Sequence, residues 1–125
     1  MQKTGVRRKK QQSSDIRHVI IESISDKKGE DTVCLDLRKI KEAVADYFII
    51  CNATSTTQVK ALADYIEEKV RKDTGENPSH SEGFRNLEWV VLDFFNIVVH
   101  IFLKDRREFY QLEELWSDAP VTEYE

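Results

Sequence analysis

The chain has 125 residues, 40% of them hydrophobic, and a formal net charge of −4. That size suits one domain with a real core and excludes a multidomain assembly. No apolar run approaches the roughly 20 residues that span a bilayer, and the N-terminus lacks the apolar segment of a secretory signal, so a cytoplasmic protein is expected.

The charge is unevenly spread. Residues 1–14 hold Lys3, Arg7, Arg8, Lys9 and Lys10 and no acid, so this stretch carries +5 and leaves −9 for the rest. Residues 1–13, rich in Gln and Ser, read as a disordered basic arm. It is either a solvated tail or a contact for RNA phosphates. The acidic body is a poor nucleic-acid binder and suits a basic protein partner.

In chain order, Ser14-Asp15 precedes Ile16, Val19, Ile20 and Ile24 at helical spacing, a first helix running to Gly29. Residues 32–37 read as a short strand, 38–45 as a polar connection and 46–52 as a longer, largely buried strand. Cys34 and Cys51 lie within these runs, where buried reduced thiols are expected, in keeping with a reducing cytosol. Ser55 and Gln58 have capping-box spacing. The helix that starts there has Val59, Leu62, Ala63, Ile66 and Val70 as its apolar stripe, a charged outer face and Gly75 as its stop.

Strand, helix and a return to β structure make a crossover unit, so the sheet is mixed. Residues 76–86 read as a short edge strand and a loop. Residues 88–103, EWVVLDFFNIVVHIFL, read as a β-hairpin at the sheet centre, with either a two-residue turn at Phe95-Asn96 or a longer, bulged loop. Alternation puts Phe94, Leu92 and Val90 opposite Ile97, Val99 and Ile101 on a core face. The other face pairs Trp89 with Phe102, Val91 with His100 and Asp93 with Val98. Amphipathic aromatics beside polar groups favour a contact surface there, the alternative being a second packed layer. Beyond it, Phe109, Tyr110, Leu112, Leu115 and Trp116 suit a short helix or turn folding back on the sheet, and residues 120–125 an acidic tail without order.

Catalytic signatures are sparse. His18, His80 and His100 lie on different elements, and His80 with Glu82 is too slight a pattern for a metal site. Neither a phosphate-cradling glycine loop nor a nucleophile elbow occurs. Asp93 and His100 are diagonal neighbours in the hairpin, but no nucleophile accompanies them and a structural or partner-facing pair is favoured.

The blocks ADYFIICNATSTTQVKALADYIEEKV, Glu82-Gly83, EWVVLDFFNIVVHIFL and REFYQLEELWSDA together resemble the ribosomal silencing factor, or Iojap, family, over residues 14–119. The resemblance implies a single α/β domain with a mixed sheet of about five strands, helices mainly on one face and a nucleotidyltransferase-like topology. It further implies a homodimer without enzymatic activity or cofactor. Such a protein would bind the large ribosomal subunit through ribosomal protein fourteen and hinder joining of the small subunit, with large-subunit assembly as the alternative role. The fold analogy licenses no chemistry, and the chain has no D-x-D pair for catalytic metals. Matching positions nominate Glu82, Trp89, Asp93, His100, Phe102, Arg107, Tyr110, Leu112, Leu115 and Trp116 for partner binding. The chain departs from the family pattern at Ala53, where glycine is usual, and at Phe95-Asn96, where Gly-Asp is usual.

Overall fold

A computed structural model describes residues 16–124. The basic arm and the Ser14-Asp15 helix start lie outside the described residues. Helix α1 occupies residues 16–26 and buries Ile16, Val19, Ile20 and Ile24. The chain then forms β1 (Glu30–Asp36), β2 (Tyr47–Ala53), α2 (Thr56–Thr74), β3 (His80–Glu82), β4 (Trp89–Asp93) and β5 (Ile97–Leu103). It closes with α3 (Lys104–Tyr110), α4 (Leu112–Leu115) and β6 (Val121–Tyr124).

The six strands form one sheet in the order β3-β4-β5-β2-β1-β6. β2 and β5 are parallel and every other neighbouring pair is antiparallel. β3, the strand that follows α2, has the same direction as β2 but lies at the far edge; β5 is β2's hydrogen-bonded neighbour. All seven β2 residues are buried, as a central strand covered on both faces requires. The β4–β5 register pairs Trp89 with Phe102, Val91 with His100 and Asp93 with Val98, as alternation predicts.

One feature differs from expectation. The sheet has six strands rather than about five, because the segment read as an acidic tail is β6, an edge strand hydrogen-bonded to β1. Its short run of Val121, Thr122, Glu123 and Tyr124 is too polar to announce itself, and only the vacant edge of β1 gives it a place. The two longer helices cover one face, so the helices lie mainly on one side as expected, and the short α3 and α4 fold back over the other.

Two cores result. One joins α1 and α2 to Ile49, Cys51, Val90, Leu92, Val99 and Ile101. The second unites Leu35, Leu37, Phe48, Ile50, Val98 and Phe102 with Leu112 and Ala119. Both cysteines are free and buried, and burial pushes the Cys51 thiol up to about 12.

Local signals act largely as read. The Ser55 hydroxyl accepts the Gln58 backbone N–H at 3.1 Å, but the Gln58 side-chain Oε1 accepts from the Thr54 N–H at 3.0 Å rather than from Ser55. The Gln58 amide also donates to the Lys27 and Lys28 carbonyls, tying the end of α1 to the start of α2. Gly75, at φ 81°, stops α2. The outer face of α2 carries the ion pairs Lys60–Asp64, Arg71–Glu68 and Lys69–Asp73, the arrangement of a solvated helix.

Candidate partner-binding face

The second core has an aromatic floor. Trp89 stacks on Phe102 with ring centres 4.9 Å apart and meets Tyr110 of α3 at 4.7 Å. Phe48 meets His100 edge-on at 4.5 Å and Trp116 at 5.9 Å. The Trp89 indole N–H donates to His100 Nδ1 at 3.1 Å. That bond puts the proton of neutral His100 on Nε2, which has no hydrogen-bond partner among the described residues. Burial holds the His100 pKa down to about 4, so the ring is neutral at pH 7.

Four nominated residues are therefore not the free surface expected of them. His100 and Phe102 are buried and Trp89 is half-buried; the mixed face of the hairpin is a second packed layer. Leu112 is buried as well. The reason lies in sequence-distant cover: α3 and α4 fold back over these rings, which alternation within one hairpin cannot reveal. Asp93 and His100 do not act on each other. The Asp93 carboxylate accepts the Phe95 N–H at 2.8 Å, while His100 is held by Trp89. Glu82 pairs with His80 at 2.8 Å on the exposed edge strand β3, which neighbours β4 and sets Glu82 opposite Val91. Beside it Gly83, at φ 94°, lies so close to the Trp89 carbonyl that no Cβ could be fitted.

What the structure does leave exposed is the outside of the covering layer. Phe109 is 70%, Leu115 73% and Tyr110 42% exposed, and Trp116 is half-buried beside them in sequence. Exposed large apolar side chains concentrated on two consecutive short helices mark contact ground. Phe109 was not among the nominated residues, although it sits in the same block.

Arg107 fixes this layer to the sheet. Its guanidinium donates to both Glu113 oxygens, at 3.3 and 2.8 Å, to Asn52 Oδ1 at 2.7 Å and to the Asp31 carbonyl at 2.6 Å. With its side chain only 12% exposed, it is a positioning residue rather than a free contact. Gln111, at φ 48°, makes the sharp turn from α3 to α4.

Around Arg107 lies a cavity of about 520 Å³ at the carboxyl ends of the parallel strands β2 and β5, where open α/β sheets place ligands. Asp31, Asp105, Glu108, Glu113 and Glu114 outnumber Lys104 and Arg107 in its wall. Asn52, the one strongly polar side chain of the otherwise apolar β2 run, lines it too and was missed; a lone Asn in an apolar strand was the available signal. The wall suits cations. Among the described residues no three His, Cys, Asp or Glu side chains converge on a metal position.

Fold and surface together define a small mixed α/β domain whose apolar exposed ground is a helical layer laid over a second core. The chain belongs to the family described as "Ribosomal silencing factor during starvation", which it matches over residues 10–125. It is 43% identical over 98 residues to the ribosomal silencing factor RsfS of Bacillus subtilis, covering 78% of this chain and 81% of that one. A crystal structure of a protein from Chromobacterium violaceum superposes with a TM-score of 0.77 at 36% identity, covering 83% of this chain and 85% of the other. A mouse protein named mitochondrial assembly of ribosomal large subunit protein 1 is 34% identical over 74 residues, which is 58% of this chain and 32% of that protein.

Proposed function

We propose that this protein silences translation by docking on the large ribosomal subunit, through ribosomal protein fourteen, and so obstructing the small subunit. It would do so in the cytoplasm, as a homodimer, without catalysis. The observation that carries this reading is the α3–α4 face, where Phe109, Tyr110 and Leu115 stand exposed on a rigid aromatic floor. Family membership supplies the ribosome as partner. The acid-walled cavity beside that face and the acidic body suit a basic ribosomal protein, and would make association faster at low ionic strength.

Excluded volume alone suffices for silencing, since a docked domain occupies space the small subunit must enter. Purified protein mixed with separated subunits should reduce the joined fraction in proportion to its occupancy of the large subunit. Full joining at saturating occupancy would falsify this mechanism. The second reading, a large-subunit assembly factor, draws on the printed name of the mouse relative. It predicts enrichment on large-subunit precursors rather than on mature subunits.

A further inference from the structure

The cavity around Arg107 has an unmet donor in its floor and unmet charge in its wall. Asn52, near the end of β2 and only 2% exposed, has its Oδ1 held by the Arg107 guanidinium at 2.7 Å. That bond fixes the amide, whose Nδ2 has no hydrogen-bond partner among the described residues although Asn52 lines the cavity. A buried donor left unpaired is costly, so such an atom in a cavity floor marks the place of a ligand's acceptor.

The charge in the wall is uncompensated as well. Arg107 is neutralised by Glu113, and the Lys104 ammonium lies 3.7 Å from the Glu30 carboxylate. That leaves the carboxylates of Asp31, Asp105, Glu108 and Glu114 without an ion pair among the described residues. Asp31 owes its place to an irregularity of β1: its φ is 50°, and the register with β2 shifts between Glu30 and Val33, a device that re-aims side chains. The volume, about 520 Å³, is that of a small-molecule site. Acids spread around it, with no three of them converging among the described residues, suit an extended organic cation better than a metal ion.

We propose that this cavity binds a small organic cation, an amine or guanidine that also bears a carbonyl or hydroxyl oxygen. Its positive charge lies among Asp31, Asp105, Glu108 and Glu114, and its oxygen accepts the Asn52 Nδ2 N–H. Each half of that chemistry answers one unmet need: a cation without an acceptor leaves Asn52 unpaired, and a neutral acceptor leaves the carboxylates unpaired. Phosphate-bearing ligands are the poorer fit, because the acids repel them while the two cations of the wall are already engaged. The same charge draws basic proteins towards this surface, but a single side chain fills only part of the volume, so the occupant of the cavity itself is a free molecule. This site is separate from the exposed α3–α4 face and does not rest on the silencing reading.

The test is isothermal titration calorimetry of the full chain with two probes. L-Argininamide carries a guanidinium, an ammonium and a carboxamide oxygen; agmatine keeps both cations and lacks the oxygen. L-Argininamide should bind saturably and about tenfold tighter than agmatine, and both should weaken with salt. Asn52→Asp keeps an oxygen for Arg107 but loses the donor, and should erase that preference. Glu108→Gln combined with Glu114→Gln, both at exposed positions, should weaken the two probes about fivefold and leave the preference intact. No saturable binding up to about 10 mM, equal affinity for the two probes, or a preference that survives Asn52→Asp overturns the proposal. So does tighter binding of AMP than of L-argininamide. Co-sedimentation with large subunits is measured on the same variants. Lost subunit binding with no heat from L-argininamide makes the cavity part of the partner face and refutes this inference, whereas saturable L-argininamide binding by a chain that ignores subunits upholds it and refutes only the silencing reading.

Discussion

Trp89 and His100, eleven residues apart and on neighbouring strands, are joined by an indole N–H that donates to the imidazole Nδ1 at 3.1 Å inside the second core. The bond needs the neutral ring, because protonation would replace the accepting lone pair with a second donor.

Stability should therefore depend on pH through His100. Its folded pKa, about 4, lies below the usual 6.5, so the unfolded chain takes up the proton first. The stabilisation is fully present above pH 6.5 and is lost as pH falls towards 4, about 3 kcal/mol in all at 1.36 kcal/mol per unit. Urea titrations between pH 7 and 4 should show that fall. His100→Gln keeps an acceptor for Trp89 but cannot titrate, and should flatten it. The Arg38 guanidinium holds the Asp36 carboxyl down to about 2, so its contribution is lost only at lower pH, as protons bind below its usual range.

Core and contact roles separate by mutation within the aromatic layer. Phe102→Ala should destabilise the fold by about 3–5 kcal/mol, because it empties a fully buried site under Trp89. Leu115→Ala and Phe109→Ala should leave thermal unfolding nearly unchanged. Each should weaken large-subunit binding by about 1–2 kcal/mol, read by co-sedimentation. The reverse pattern would place the partner elsewhere.

Arg107 should be irreplaceable by lysine. Its guanidinium makes four hydrogen bonds, and a single ammonium cannot span Glu113, Asn52 and Asp31 together. Arg107→Lys and Arg107→Ala should each cost about 2 kcal/mol, and amide exchange should quicken in α3 and α4 before it quickens in the sheet. Exchange confined to the sheet would contradict the anchoring role.

Phe95 is the opposite case, a residue whose replacement should stabilise. Its φ is 80°, and the Asn96 N–H donates to the Phe94 carbonyl across it, a γ-turn geometry strained for an L side chain. Phe95→Gly should raise stability by about 0.5–1 kcal/mol, the relieved strain being partly offset by glycine's greater freedom when unfolded. A lower melting temperature would mean that the exposed ring packs in some way its exposure does not suggest.

Much of this fold follows from local patterns. Periods of 3.6 and 2 located α1, α2, β1, β2, β4 and β5, Ser55 and Gly75 marked the ends of α2, and hairpin alternation set the β4–β5 register, because these signals act between residues close in the chain. The family, too, was readable from sequence blocks alone. Three matters depended on tertiary structure. Whether Trp89, His100 and Phe102 face a partner or a second core depends on α3 and α4, which arrive later in the chain and carry their own cover. Whether residues 121–124 are tail or strand depends on an unfilled β1 edge, not on their own propensity. The role of Arg107 arises from groups up to 76 positions apart, Asp31 and Arg107. Sequence periodicity carries no information about such meetings, since each segment satisfies its own local rule equally well without the others.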